Sequence, residues 1–356
     1  DRSGYWGSAI RDRIASQVGS IRHWTIENAH YTAAHVTKAT WFVDPPYQGA
    51  GKHYRMGSKG IDYAALGQWC QELPGQVIVV DNASKLDERA RMKAIFHEVL
   101  PEGLILAAKP ASYPDASAVF LCNDVNAGYS AGNNIGARFA AESGCEAVLI
   151  VNPDVRIEDP DYLANLFDLI TADAKTAVAC STVTNLFGKH ENPMIEPGFV
   201  EELLWPVKMV FGRLLPRQRA VTTLPARALK VEKVTGACFL IRMDFLRVIR
   251  FFDESVFLYC EESILYAQVR ATCWKMLMDP GRHALHAHRT TAKGDQLTQY
   301  QNWAKSRTQF HAAYGGYGVL GQALLAGSRS LVLGLVRMRT LLKRVLSRAA
   351  QMRGGA

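Results

Sequence analysis

Apolar runs and turn residues alternate along this chain in a way that predicts strands and helices in turn. Thr40-Trp41-Phe42-Val43 is a short apolar run that predicts a strand, stopped by Asp44-Pro45-Pro46-Tyr47. After a glycine-rich loop, Ile61, Ala65, Leu66 and Trp69 mark one side of a helix over 61–72. Pro74-Gly75 then turns the chain into Gln76–Val80, a buried strand ending at Asp81. The alternation continues with a helix over 86–99, a strand over 117–122, and a helix from the Gly/Asn-rich Asn126–Gly136 to about Ser143. A strand over Glu146–Val151, a helix over 160–172 and a strand over 176–182 follow. Residues 185–230 hold five prolines and read as an irregular acceptor region or lid. The pattern resumes with a strand over Val234–Arg242, a short helix over 244–250, a helix over Glu261–Thr272 and a last short strand over Lys275–Met278. Repeated strand–helix–strand units predict an α/β fold with a mostly parallel sheet flanked by helices.

The composition, 48% apolar and 21% charged, excludes a disordered or fibrous chain. Seven cysteines form no C-x-x-C pair, which argues against structural zinc or a disulfide framework and for a reducing compartment. The net charge of +8 suggests nucleic acid or a membrane surface until it is located. Residues 1–295 hold thirty-two basic residues against thirty-three acidic ones, whereas the chain after Asp295 holds nine basic residues and no acidic one. The body is neutral and offers no basic surface for DNA; the tail is basic. Residues 318–336 are apolar with Arg329 at their centre and glycines inside. An arginine at mid-bilayer costs roughly 2.5–3.5 kcal/mol, which disfavours a spanning helix. A basic amphipathic helix on an anionic membrane fits the pattern better, and a helix packed on the body with a solvated basic face also satisfies it.

Three segments carry candidate chemistry. Asp81, in Val79-Val80-Asp81-Asn82-Ala83-Ser84, closes a strand where parallel sheets bind nucleotides; it is equally suited to cap the next helix. In Asn126–Gly136, Gly128 and Gly132 let backbone approach a ligand, and a helix starting near Gly132 would offer free N–H groups to a phosphate. An ordinary glycine-rich helix entry gives the same string. Asn152-Pro153-Asp154 follows an apolar strand, and its carboxylate could ligate Mg²⁺ or Mn²⁺ or simply turn the chain.

The order of these segments, followed by Thr235–Arg242 (TGACFLIR), Phe252–Glu262 (FDESVFLYCEE) and His286-Ala287-His288, resembles the family 2 glycosyltransferases of the GT-A fold, especially their rhamnosyltransferase-like branch, over about 77–310. The resemblance implies a GT-A-like (Rossmann-like) sheet and an inverting sugar transfer from a nucleotide-diphosphate donor to a cell-envelope glycan or lipid-linked acceptor. It implies catalytic roles for Glu261 and Glu262. It implies substrate contacts at Asp81, Asn82, Ser84, Asn126, Gly128, Gly132, Asn133, Gly236, Asp253 and Tyr259. A divalent cation, Mg²⁺ or Mn²⁺, would sit at Asn152, Asp154, His286 and His288. The chain differs from the family pattern at Glu262, where Asp is usual, at Ile264 and at Gln268. The family's opening nucleotide-base motif is replaced by Asp44-Pro45-Pro46-Tyr47 with its flanks, which resembles the D-P-P-Y segment of adenine-specific DNA methyltransferases. The glycine-rich motif that binds S-adenosylmethionine in that family does not occur.

The expected organisation is therefore a methyltransferase-like segment over 1–76, a glycosyltransferase domain over 77–310 and a basic helical tail over 311–356. Strand 40–43 could complete the sheet in place of the missing first strand. The expected location is cytoplasmic, peripheral on the inner face of the plasma membrane. A methyltransferase fragment and a nucleotide-sugar-binding protein without turnover are the alternatives.

Overall fold

Near-continuous apolar runs at Val77–Asn82, Ala118–Asn123 and Ala147–Val151 become the buried centre of a sheet, as strands covered on both faces must be. The computed structural model describes residues 40–43, 76–212, 227–287 and 296–353. In chain order the elements begin with β1 (Thr40–Val43), β2 (Val77–Asn82), α1 (Leu86–Val99), β3 (Leu104–Ala107), β4 (Ala118–Asn123) and α2 (Tyr129–Glu142). Next come β5 (Ala147–Val151), β6 (Val155–Arg156), α3 (Tyr162–Thr171), β7 (Thr176–Asn185), α4 (Phe199–Leu203) and α5 (Trp205–Phe211). The rest are β8 (Leu229–Val231), β9 (Cys238–Arg242), α6 (Met243–Val248), α7 (Glu261–Ala271), β10 (Lys275–His286), α8 (Gln296–Ala313) and α9 (Val319–Arg353).

The strands form one mixed sheet in the order β3-β4-β2-β1-β5-β9-β7-β10-β6, with β8 also on β10. From β3 to β5 all pairings are parallel, and β9 is antiparallel to both of its neighbours. The early strand 40–43 lies in mid-sheet, with Trp41 opposite Val77 on one side and Leu149 on the other. Alternation along the strands splits the core in two. Ile78, Val80, Val119, Leu121, Val148 and Ile150 face α2, α6 and α7. Val77, Phe120, Leu149 and Leu240 face α1 and α3. The result is an α/β three-layer fold with a C-terminal helical pair.

Three expectations need correction. The strand expected over Lys275–Met278 continues to His286 through a bulge between Asp279 and His283. Pro280-Gly281 reads as a stop, but the Asp279 side chain accepts the Gly281 N–H at 2.8 Å and the chain rejoins β7. The strand expected from Val234 begins only at Cys238, because the backbone of Thr235 and Gly236 hydrogen-bonds to side chains instead of a strand. The stretch 185–230, expected to be irregular, contains α4 and α5. The tail helix, Val319–Arg353, lies within the tail expected over 311–356 and packs one face on the body, burying Leu325, Ser328, Arg329, Val332 and Val336. Among the described residues it is the one helix long and apolar enough to cross a membrane, over Val319–Leu341. The D-P-P-Y segment Asp44–Tyr47, the helix expected over 61–72 and His288 lie outside the described residues.

Candidate active site

Parallel strands β2, β4 and β5 all end on one edge of the sheet, so the loops that follow them are brought together there. The order of the strands reverses between β1 and β5, the place where open α/β sheets bind ligands. Asn82, at the end of β2, binds these loops together. Its amide donates to Gly128 O at 3.2 Å and its carbonyl accepts from Asn123 Nδ2 at 2.7 Å. Asn126 Oδ1 in turn accepts the Gly128 N–H at 3.0 Å.

Gly128 is required by geometry. Its φ is +108° with ψ at −179°, a region almost confined to glycine. A Cβ there would lie 2.3 Å from Phe257 O. The close approach lets Tyr129 N–H donate to the same carbonyl at 3.1 Å, while Tyr129 Oη donates to Gly236 O at 2.6 Å. Helix α2 begins at Tyr129, earlier than the start expected near Gly132, and the Gly132 N–H already serves Gly128 O inside the helix. Gly132 instead admits Asn82, whose Nδ2 would be 2.8 Å from an added Cβ. Asn133 is fully buried, and neither of its amide atoms has a hydrogen-bond partner among the described residues.

Glu261 and Glu262 open α7 at the same place. Tyr259 and Cys260, just before them, both have φ of +72°, a left-handed conformation that costs non-glycine residues about 1–3 kcal/mol and clusters at functional sites. Glu262 Oε1 accepts the Gly236 N–H at 3.4 Å. Burial, reinforced by the charge of Glu262, pushes the Glu261 carboxyl up to about 8. The pair therefore holds a proton at neutral pH.

On the β5 side, Asn152 N–H donates to Ala237 O at 2.8 Å, which sets Asn152-Pro153-Asp154 beside Gly236. The extension of β10 carries His286 to Asp154, with Nε2 3.3 Å from Asp154 Oδ1 and Nδ1 2.7 Å from Glu191 Oε2. Burial opposes the charge on this imidazole, but the two carboxylates outweigh it and hold it at about 9. The carboxylates are oxygen donors of the kind Mg²⁺ and Mn²⁺ take, and the imidazole nitrogen could serve Mn²⁺ only after losing its proton. Among the described residues, no three such side chains could hold an ion by themselves.

Other expected residues are placed differently. Asp81 is fully buried, with Ser84 N–H donating to its Oδ1 at 3.1 Å and the Arg89 guanidinium paired to its Oδ2. Arg89 also reaches Asp124 at 2.8 Å and the carbonyl of Asn123. Ser84 thus acts here through its backbone. Asp253 faces Ser255 N–H, at 2.7 Å, and the hydroxyl of Tyr314. Although burial opposes it, these donors hold the Asp253 carboxyl below its ordinary range. Glu191, Arg89 and Tyr129 were not singled out in the sequence. The first two are ordinary members of the mixed-charge runs Asp87–Arg91 and Lys189–Glu191, and Tyr129 is one position of a glycine-rich segment whose signal lies in its glycines.

No protein-family model matches the chain. It is 28% identical over 144 residues to the low-salt glycan biosynthesis hexosyltransferase Agl10 of Haloferax volcanii. The match covers 38% of this chain and spans about two fifths (41%) of that relative's length. Among solved structures, the fold is similar to a mannosyltransferase from Pyrobaculum calidifontis in complex with GDP-Man and Mn²⁺, at 13% identity and a TM-score of 0.48. That match covers 97% of this chain and 89% of the other. A second similar structure is GalNAc-T7 with UDP, GalNAc and Mn²⁺, at 12% identity and a TM-score of 0.47, covering 78% of this chain and 49% of that one.

Proposed function

We propose that this chain is a GT-A-type glycosyltransferase of the family 2 kind. It would transfer a sugar, with inversion, from a nucleotide-diphosphate donor to a hydroxyl of a cell-envelope glycan or lipid-linked acceptor. The observation that carries the reading is convergence. The Gly128–Tyr129 turn, Gly236, Asn152–Asp154 and the Glu261–Glu262 pair meet at one sheet edge, although they are up to 134 residues apart in the chain.

In this reading Glu262 is the general base. It takes the proton of the acceptor hydroxyl, whose oxygen bonds to the anomeric carbon as the bond to the diphosphate breaks and its electrons leave with the diphosphate. Glu261 keeps its proton, so only one carboxylate charge faces the reacting centre. Asp154 and His286 would hold Mg²⁺ or Mn²⁺, which supplies charge neutralisation to the leaving diphosphate. Asn82, Asn126 and Gly128 shape the donor loop, and Asp81 acts on it through Arg89. With six free cysteines among the described residues and a basic tail, the chain would work in the cytoplasm, peripheral on the inner face of the plasma membrane.

Calorimetry with UDP-, dTDP- and GDP-sugars in the presence of Mn²⁺ tests the proposal. Binding of one donor, with turnover that E262Q abolishes, is expected. Failure to bind any donor overturns the proposal, and donor binding without turnover on any acceptor leaves a sugar-nucleotide-binding protein in its place.

A further inference from the structure

The tail helix α9 has two opposite apolar faces, and only one of them is used by the body. Leu325, Ser328, Arg329, Val332 and Val336 turn inward. Ser328 Oγ donates to Glu202 O at 2.8 Å and Arg329 Nη1 lies 2.8 Å from His311 Nδ1. On the far side, Leu320, Leu324, Leu331, Met338 and Leu341 follow a spacing of three, four or their sum, so they form one continuous stripe. Leu320 is 74% exposed and Leu331 64%. The neighbouring helix α5, joined to α9 by Arg339 Nη2 donating to Met209 O at 2.8 Å, adds the exposed Val207, Val210 and Phe211. Arg337 is also exposed on α9.

We propose that α5 and the outer stripe of α9 form a docking face that lies on an anionic lipid bilayer, with α9 parallel to the membrane and still packed on the body. Three observations select this occupant. The exposed apolar residues of α9 fall in one stripe rather than being scattered, as an interfacial helix needs, and α5 next to it exposes three more. On α9 the exposed Arg337 and Arg339 are positive, on α5 Lys208 is paired with Glu201, and the chain after Asp295 has no acidic residue, so the net charge of the face is positive and complements anionic headgroups. The same charges disfavour a second copy of the chain, because pairing α9 on α9 would bring arginines together with no carboxylate on that helix to answer them.

The inner face decides between lying on the membrane and crossing it. A spanning α9 would have to withdraw Ser328 and Arg329 from Glu202 and His311 and place the guanidinium in hydrocarbon. Held as it is, α9 stands behind α8, whose Ser306 and Arg307 bond to Leu258 O at 2.7 Å and Ser263 Oγ at 3.1 Å on either side of the acid pair. The docking face is thus one helix layer removed from α7. This bears on the lipid-linked acceptor and in that respect rests on the glycosyltransferase reading, but binding to lipid does not depend on donor chemistry.

The test is co-sedimentation of the full chain with vesicles of phosphatidylcholine alone or of three parts phosphatidylcholine to one part phosphatidylglycerol, without donor. Binding to the anionic vesicles at least tenfold tighter than to the neutral ones, and release by high salt, are expected. Arg337→Glu should weaken it about tenfold. Leu331→Glu in α9 and Val210→Glu in α5 should each abolish it, with unchanged circular dichroism and melting temperature showing that the exposed positions tolerate the change. Retention that resists high salt and alkaline carbonate means a spanning helix and overturns the proposal. A dimer that forms without lipid, is disrupted by Leu331→Glu and binds no vesicle also overturns it, with a second copy as the occupant. Loss of vesicle binding leaves the donor calorimetry untouched, so the two readings fail separately.

Discussion

Arg307 allows a quantitative test of how the C-terminal helices are held to the body. Its side chain is 3% exposed and is paired with two carboxylates from the segment before α5. Nε donates to Glu202 Oε1 at 3.0 Å, Nη1 donates to Ser263 Oγ at 3.1 Å, and Nη2 reaches Glu196 Oε1 at 2.5 Å. Arg307→Met keeps most of the volume and removes the charge and every donor. Glu196 retains Lys233 at 2.8 Å, but Glu202 is left buried with only the Nε2 of His311, at 3.2 Å, on its bonded oxygen. Breaking a buried pair in this way costs about 3–5 kcal/mol, most of it from the uncompensated carboxylate rather than from lost attraction. Urea unfolding followed by tryptophan fluorescence measures the loss. Arg307→Met combined with Glu202→Gln should be more stable than Arg307→Met alone, because the stranded charge is gone. A loss under about 1 kcal/mol for the single variant, or a double variant weaker still, would refute the claim that desolvated charge organises this contact.

Other expectations follow from the same geometry. Gly128→Ala should lower the melting temperature and cost at least about 1–3 kcal/mol from backbone strain alone, since Phe257 O blocks the new methyl; an unchanged melting curve would contradict the close approach. Despite burial, Arg307 with Lys233, and His311 with Arg307, hold the carboxyls of Glu196 and Glu202 below the ordinary glutamate range. Their stabilisation is present above the unfolded value of about 4.3 and is lost as pH falls below it, so acid titration of stability should show a steep loss there that shrinks in Arg307→Met. Glu261 works in the opposite direction. Because burial holds it at about 8, the folded chain keeps a proton that the unfolded chain releases above about pH 4.3, and stability falls as pH rises from there to 8. Glu261→Gln should flatten that slope; a slope that persists would place the titration elsewhere. Chelation of divalent cations should abolish turnover, and Asp154→Asn should raise the Mn²⁺ concentration needed to restore it, whereas equal cation dependence in the two proteins would remove Asp154 from the site.

Most of the central sheet was legible because its strands are buried on both faces. Val77–Asn82, Ala118–Asn123 and Ala147–Val151 have little but apolar residues to offer, so period and composition agree. The ends were harder. Asp279-Pro280-Gly281 has the composition of a turn, and only the parallel pairing of His283–His286 with Thr182–Asn185 shows that the strand resumes. Pairings over long sequence separations were invisible. Nothing local marks Glu191 as the partner of His286, 95 residues away, or Arg307 as the partner of Glu202, 105 away. The tail shows the same effect in its charge. Counted along the sequence, Arg307 and Arg329 belong to the basic tail, yet both are buried, and Arg307 is neutralised by acidic residues of the body.

The position of β1 has a practical consequence for anyone dividing this chain. A fragment beginning at Val77 would retain β2 and β5 but lack the strand between them. Their facing edges would then be two rows of unpaired N–H and C=O groups, separated by the width of one missing strand, roughly 4.8 Å from each. Such a slot is a receptor for any extended peptide of suitable pattern. A synthetic peptide containing Thr40-Trp41-Phe42-Val43, supplied in trans, would be the natural partner of the truncated protein and could serve as the second half of a split reporter.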